Sequence, residues 1–547
     1  MTKTLSAAEP PAYTADGHAP TMFDLIPLPA CIEAHGGRCA LTAKTWIASG
    51  DAAVREAFLL AQRIQQGIGL SLQVTNQSTA IDSSSIVLDV DTSLAHLGDE
   101  GYSLVIQPNR VTISAPASAG VFYGIQTLLQ LLPAEVYSSG SVAEWGGRGC
   151  SLPCGLIEDT PRFRWRGVML DVARNYLAPP FIRKFIDGLA AHKMNILHLH
   201  LTDDQGWRLE IPRYPRLTSV GATRRRTQLG RCIKDPGDPD FDPAIYDYDE
   251  TPYGGYYTQE QMRHIVAYAA ERHIRIAPEI DMPGHAQAAI AAYPELGCTL
   301  EPLEVSPCWG IHANIFNPDE ATIRFLQNVL DDVLAIFPSP YIHIGGDEVV
   351  KRQWEQSETA RQVMRKHGLR NEQELQSWFV GRMGTYLSER GRRLIGWDEI
   401  LEGGLGENAI VMSWRGEEGG IAAARLGHKV IMAPSQRTYF DHYQSPDHAA
   451  EPLAFPGTVT LEDVYGYDPI PDGMPSAEAH LILGAQGQLW SEYLVTERQV
   501  EYMAYPRLSA LSEVVWSQPA NKDYQGFCDR LQIHRQRLNH MGLTVHP

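Results

Sequence analysis

Two patterns of hydrophobic and polar residues divide the chain. Between about residues 21 and 155, short apolar runs (LSLQVT, SSIVLDVD, GYSLVIQ, RVTISA) alternate with polar stretches, and an apolar helix reads over residues 52–66. The segment SAGVFYGIQTLLQLL spaces Val121, Ile125, Leu128, Leu129 and Leu132 along one face of a helix, so this stripe is expected to pack on the sheet. A mixed sheet with helices follows. No catalytic residue types cluster there, and residues 21–158 read as a small α/β support domain.

After Pro161 the chain becomes a repeating alternation of apolar strands and amphipathic helices. Strand candidates are GVMLDVAR from residue 167, NILHLHLTDD from 195, RIAPEIDMPGH from 275, YIHIGGDEV from 341, RLIGWDEI from 393, IVMSWR from 410, KVIMAPS from 429 and LILGAQGQLWSE from 481. Pro179 and Pro180 open a helix with Phe181, Ile182, Phe185, Ile186 and Leu189 on one side, and Thr258 with Gln261 and Asn317 with Glu320 are expected to form capping boxes. Strand and helix alternating eight times predict an α/β fold, a (β/α)8 TIM barrel, over residues 159–547, ending in a C-terminal helix. Residues 438–478 show no evident helix, so the seventh unit is expected to be irregular.

Charge and composition narrow the function. Lys and Arg number 46 against 65 Asp and Glu, a formal charge of −19, which argues against a nucleic-acid binder. A hydrophobic fraction of 44% with 20% charged residues is globular, and 547 residues exceed what one core usually covers. The longest uncharged window, residues 111–134, is broken by Pro116, Gly120, Gly124, Gln126, Gln130 and Pro133, so no membrane span is expected. Residues 1–20 read as a flexible start without a secretion signal; the expected compartment is the cytoplasm, unless a signal was trimmed. The eight cysteines lack paired CxxC spacing, and Cys298 and Cys308 read as thiols in preference to a staple.

In a barrel of this kind the chemistry sits where strands end. Those ends carry Asp171 and Arg174; His198, His200, Asp203 and Asp204; Glu279, Asp281 and His285; His343, Asp347 and Glu348; Trp397, Asp398 and Glu399; Trp414; and Trp490 and Glu492. In HIGGDEVV two glycines allow a sharp turn before adjacent carboxylates, which can face one substrate only where the strand is ending. Like charges side by side oppose ionisation, so one of Asp347 and Glu348 can stay protonated as a general acid. Trp397, Trp414 and Trp490 offer flat faces for a sugar ring, Tyr439 and Asp441 add a hydroxyl and a carboxylate, and Arg174 a donor fork. This set suits an uncharged polyhydroxylated ligand better than a phosphate.

GVMLDVARNY, NILHLHLTDDQGWRLEI, PEIDMPGHA, HIGGDEV, GWDEI, TYFDHYQ and QGQLWSEY with VEYMAYPRLSALSEVVW resemble, in order over roughly residues 100–520, the motifs of the family 20 glycoside hydrolases, the β-N-acetylhexosaminidases. The resemblance implies retaining hydrolysis of terminal β-linked N-acetylhexosamine, assisted by the substrate's own acetamide and needing no cofactor or metal. Glu348 would be the acid and base. Asp347 would orient the acetamide and stabilise an oxazolinium-like intermediate, and Tyr439 would donate to the acetamide oxygen. Trp397, Trp414 and Trp490 would wall the pocket, with Arg174 and Glu492 on O3 and O4 and Asp441 on O6. Asp203 and His285 would tune Glu348 from behind. The stretch 224–257 is a long insertion that either shapes the leaving-group side or is a solvated loop. Two rivals remain: a metal hydrolase using His198 and His200 with His285, His343 and Asp347, and a sugar-binding protein without catalysis.

Overall fold

The computed structural model describes residues 23–76, 84–138 and 149–547. The start expected to be flexible, residues 1–20, lies outside them.

The described residues up to Thr160, together with Gln525–Gly542, form one compact unit, and Pro161–Tyr524 with Leu543–Pro547 form another. In the first, seven strands make one mixed sheet in the order Cys31–Leu41, Cys150–Asp159, Tyr102–Gln107, Arg110–Ala115, Ser85–Val90, Trp46–Ser49 and Gln73–Asn76. Pairing is antiparallel across the first four and parallel across the rest. Alternation of apolar and polar residues sets the faces: Tyr102, Leu104 and Ile106 are buried, as are Val111, Ile113 and Ala115. Helix Ser118–Gln130 is buried from Gly120 to Gln130, on every side and not along one stripe.

That wider burial goes with a second difference from the sequence reading. The C-terminal helix Tyr524–His540 belongs largely to this first unit and not to the barrel domain. Its Arg537 donates to the Gln130 carbonyl at 2.9 Å, Arg530 to the Leu25 carbonyl at 2.6 Å, and the His540 Nδ1 lies 2.9 Å from the Ser138 hydroxyl.

In the second unit eight parallel strands close a barrel: Trp165–Asp171, Ile196–His200, Arg275–Glu279, Tyr341–His343, Arg393–Trp397, Ile410–Ser413, Lys429–Met432 and Ile482–Leu489. These are the eight runs expected. Trp165, Ile196, Ala277, Ile395, Ile410 and Ile431 fill the interior, with Trp397 and Met412 packed on them. Register then aligns polar residues at the strand ends. Asp171 pairs with His200, His200 with Glu279, and Glu279 with His343.

Local signals mostly act as written. Thr258 and Gln261 form the expected capping box on helix Gln259–Ala270. Asn317 and Glu320 do not, because Asp319 caps helix Glu320–Ile336 by accepting the Thr322 N–H at 2.8 Å, and Asn317 donates to Asp319 instead. Residues 438–478, expected to lack helix, contain Leu461–Gly466 under a Thr460–Asp463 capping box and the short Ser476–Ala479. Six and four residues are too short to show a stripe. No described helix is long and apolar enough to cross a membrane.

Candidate active site

A cavity of roughly 440 Å³ opens over the C-terminal ends of the barrel strands, lined among others by Arg174, Asp347, Glu348, Trp397, Trp414, Tyr439, Asp441, Trp490 and Glu492. Nine of the eleven residues singled out from sequence thus share one wall, and the other two, Asp203 and His285, lie behind it, fully enclosed.

The turn after Tyr341–His343 explains how adjacent carboxylates face the same space. Gly345 and Gly346 take φ of +67° and +92°, and Glu348 itself takes +50°. A Cβ on Gly345 would sit 1.7 Å from the Asp281 Oδ1, so only glycine lets the chain pass. Asp347 emerges buried, while the Glu348 side chain keeps 29% of its exposure to the cavity.

His285 stands behind the pair, its Nε2 3.4 Å from Glu348 Oε2 and 3.6 Å from Asp347 Oδ2. Its Nδ1 is 3.2 Å from Asp203 Oδ1 and from Asp204 Oδ2. Burial works against its charge, but Asp203, Asp204 and Glu348 outweigh that and hold the imidazole well above its usual range. Burial likewise opposes ionisation of Asp203, and Arg174, His285 and His200 overcome it, keeping the carboxyl well below the usual range. Asp347 is pushed up to about 6, first by burial and then by the charges of Glu348 and Glu279, against the pull of His285.

The Arg174 guanidinium lies 2.9 Å from Asp203 Oδ2, donates through Nε to Gln205 at 3.1 Å and sits 5.0 Å over the Trp490 ring. Trp397 and Trp490 have ring centres 5.6 Å apart, and Trp414 stacks 6.1 Å from Tyr439. Burial pushes Tyr439, Asp441 and Glu492 up. Arg174 Nη1, Asp347 Oδ1 and Asp441 Oδ1 are buried atoms with no hydrogen-bond partner among the described residues, and all belong to side chains that line the cavity. Buried polar atoms left unpaired are costly, so this wall is arranged for a polar ligand to complete.

The histidines that suggested a metal are already engaged. His200 meets Glu279 through Nδ1 and Asp203 through Nε2, the latter at 2.7 Å. His198 accepts from Gln486 at 3.0 Å and faces Glu279 at 3.1 Å, and His343 Nδ1 is 2.7 Å from Glu279. Each of the three thus has a partner in the core, although the Nε2 atoms of His198 and His343 neither accept nor donate a hydrogen bond, and His198, Glu279 and His343 lie close enough together to share an ion.

The rest of the wall was not evident in the sequence. Cys232, Ile233, Lys234, Asp235 and Asp238 of the 224–257 insertion line the cavity, as do Trp309, Ile311, His442, Phe455 and Tyr493. The insertion is clamped there: Tyr246 Oη accepts the Ile233 and Lys234 N–H groups at 3.1 and 2.8 Å, and the Gly237 N–H reaches the Ile311 carbonyl at 2.7 Å. The only sequence signal was its length.

Comparison with known proteins extends these observations. Residues 163–519 match the family model described as glycosyl hydrolase family 20, catalytic domain, and residues 22–160 match glycosyl hydrolase family 20, domain 2. A beta-hexosaminidase of Porphyromonas gingivalis is 43% identical over 527 residues, covering 96% of this chain and 64% of that protein, so the chain spans less than two thirds of this relative. A beta-hexosaminidase of Vibrio furnissii is 35% identical, covering 90% of this chain and 76% of its own length. Among solved structures, the beta-N-acetylhexosaminidase of Streptomyces coelicolor superposes with a TM-score of 0.80 at 31% identity, covering 96% and 98% of the two chains. The exo beta-N-acetylglucosaminidase of Vibrio harveyi, solved with N-acetylglucosamine, gives 0.82 at 30%, covering 99% of this chain and 80% of its own.

Proposed function

The chain belongs to glycosyl hydrolase family 20, and from that premise we propose that it is a β-N-acetylhexosaminidase, releasing terminal non-reducing N-acetylhexosamine with the substrate's acetamide as nucleophile. The observation that carries this reading is the pair Asp347 and Glu348, both turned into one cavity, with an unpartnered Asp347 Oδ1 beside the half-open Glu348. Glu348 protonates the glycosidic oxygen and later takes a proton from water. Asp347 accepts the acetamide N–H, aligns its carbonyl with the anomeric carbon and offsets the positive charge of an oxazolinium intermediate. Tyr439 donates to the acetamide oxygen, while Trp397, Trp414 and Trp490 enclose the acetamide and the ring face. Arg174, whose Nη1 is 3.5 Å from Asp171 Oδ2 without a hydrogen bond, and Glu492 address O3 and O4; Asp441, whose Oδ1 has no hydrogen-bond partner among the described residues, addresses O6. The complex of the Vibrio harveyi relative with N-acetylglucosamine supports a sugar of this class.

Incubation with chromogenic aryl N-acetyl-β-glucosaminide and N-acetyl-β-galactosaminide between about pH 4 and 8 is expected to release the aglycone, and a thiazoline analogue of the intermediate is expected to inhibit it. Absence of release across that range, or undiminished turnover of the aryl glucoside lacking the acetamide, overturns the reading. Glu348→Gln is expected to lose far more activity on poor leaving groups than on activated aryl glycosides; equal losses count against its role as the acid.

A further inference from the structure

Beneath the cavity, and outside its lining, one carboxylate joins residues that the proposed reaction uses separately. Glu279 ends the third barrel strand, is fully enclosed, and has His200 and His343 as its direct neighbours on the adjacent strands. Its Oε1 accepts the indole N–H of Trp397 at 3.0 Å. Its Oε2 meets His200 Nδ1, and His200 Nε2 is 2.7 Å from Asp203 Oδ2. Asp203 in turn holds Arg174 at 2.9 Å and His285 at 3.2 Å, and His285 faces Asp347 and Glu348.

We propose that Glu279 is a positioning residue for this reaction: it fixes Trp397 of the tryptophan wall with one oxygen and, through His200 and Asp203, fixes the charge and orientation of His285 and Arg174 with the other. The proposal rests on the family 20 reading for the roles of Trp397, His285 and Arg174. The physical argument starts from His200. An imidazole that meets a carboxylate at each ring nitrogen must carry both protons, because neither Glu279 nor Asp203 has one to give when ionised. Asp203 also accepts the Asp204 N–H at 2.7 Å, so its two oxygens are saturated by donors and its charge is fixed. The other groups facing His200 are Asp281 and His198 and, on its edge, the Trp490 ring at 5.0 Å. Burial disfavours the imidazolium, and the two carboxylates bonded to it prevail. Removing the Glu279 charge takes away one of these two. His200 then gives up a proton within the working pH range, Asp203 loses a charged donor, and the hold on His285 slackens with it.

The test has one arm that needs no variant. In the wild type, 15N-labelled histidine spectra, with the His200 signal assigned by its loss in His200→Gln, are expected to show a doubly protonated ring from about pH 5 to 9. In Glu279→Gln, which keeps an acceptor for Trp397, the ring is expected to titrate inside that window. The same variant is expected to lose kcat by a factor on the order of 10² with KM changed less than about threefold, and its kcat/KM profile to gain an ionisation absent from the wild type. A His200 that titrates near its ordinary value in the wild type overturns the proposal, as does a folded Glu279→Gln with wild-type kcat and an unaltered pH profile. A wild type that hydrolyses no N-acetylhexosaminide sinks the functional reading instead, and the spectra still decide the state of His200.

Discussion

Asp347 has to be charged to do what is proposed for it, in a place where burial resists charge. With its carboxyl pushed up to about 6, kcat/KM is expected to fall about tenfold per pH unit below about 6, since protonation removes the acceptor for the acetamide N–H. Asp347→Asn is expected to lose kcat by a factor on the order of 10² or more and to flatten that acid limb; a limb that survives assigns it to another group. Stability carries the opposite sign. A native value above the unfolded 3.8 means the folded protein binds the extra proton between about pH 4 and 6, so this contribution is complete below about 4 and lost as pH rises through about 6. Two units correspond to roughly 3 kcal/mol at most. The melting temperature of Asp347→Asn should therefore exceed the wild type's near pH 8, with the margin closing by about pH 4. Adjacency of the two acids was legible in the sequence, and it suggested mutual repulsion as the cause of a shift. Burial is the larger cause, with the Glu348 charge behind it, and burial belongs to the folded cavity, which no dipeptide reveals.

The turn that delivers Asp347 depends on backbone that a side chain would block. Gly345 and Gly391 have nearly the same left-handed φ, +67° and +70°, but a Cβ on Gly391 meets nothing within 4 Å while one on Gly345 meets Asp281 at 1.7 Å. Gly391→Ala is thus expected to cost about 1 kcal/mol with activity kept, and Gly345→Ala a further 1–3 kcal/mol or so with most activity lost, read by thermal unfolding and aryl glycoside hydrolysis. Similar effects of the two substitutions would show that φ, and not the approach to Asp281, is what matters. Elements of this unit were readable where they belong to its repeat. The eight barrel strands, some only three or four residues long, stand out because apolar runs are separated by amphipathic helices, and the same alternation located the site at the strand ends. Asn317 was displaced as a cap by Asp319, a better-placed competitor two residues on, and Leu461–Gly466 hid because under two turns carry no stripe, although Thr460 and Asp463 spell its capping box. His442 and Phe455 reach the cavity from two short paired strands, and Tyr493 from just beyond the last barrel strand; none of the three was singled out as a ligand-binding residue type.

Which unit helix Tyr524–His540 joins is decided by contacts its local sequence does not announce. Helix Tyr524–His540 follows the barrel in sequence, yet its buried Arg530 and Arg537, two turns apart on one face, donate to carbonyls of Leu25 and Gln130, hundreds of residues earlier. Neither arginine forms part of a readable motif, which is why sequence proximity assigned the helix to the wrong unit. The first unit is therefore complete only once residues 525–542 have been made. Replacing both arginines by alanine leaves buried carbonyls without these donors and is expected to cost about 1–3 kcal/mol per site. The loss should be local. Hydrogen exchange is expected to lose protection in Tyr102–Gln107, Arg110–Ala115 and Ser118–Gln130, which belong to the same unit as the helix, while Ile196–His200 and Arg275–Glu279 in the barrel keep theirs. Uniform loss over both sets of strands would mean that the two units open as one, and unchanged exchange in the first would mean that the arginines only decorate a unit stable without them.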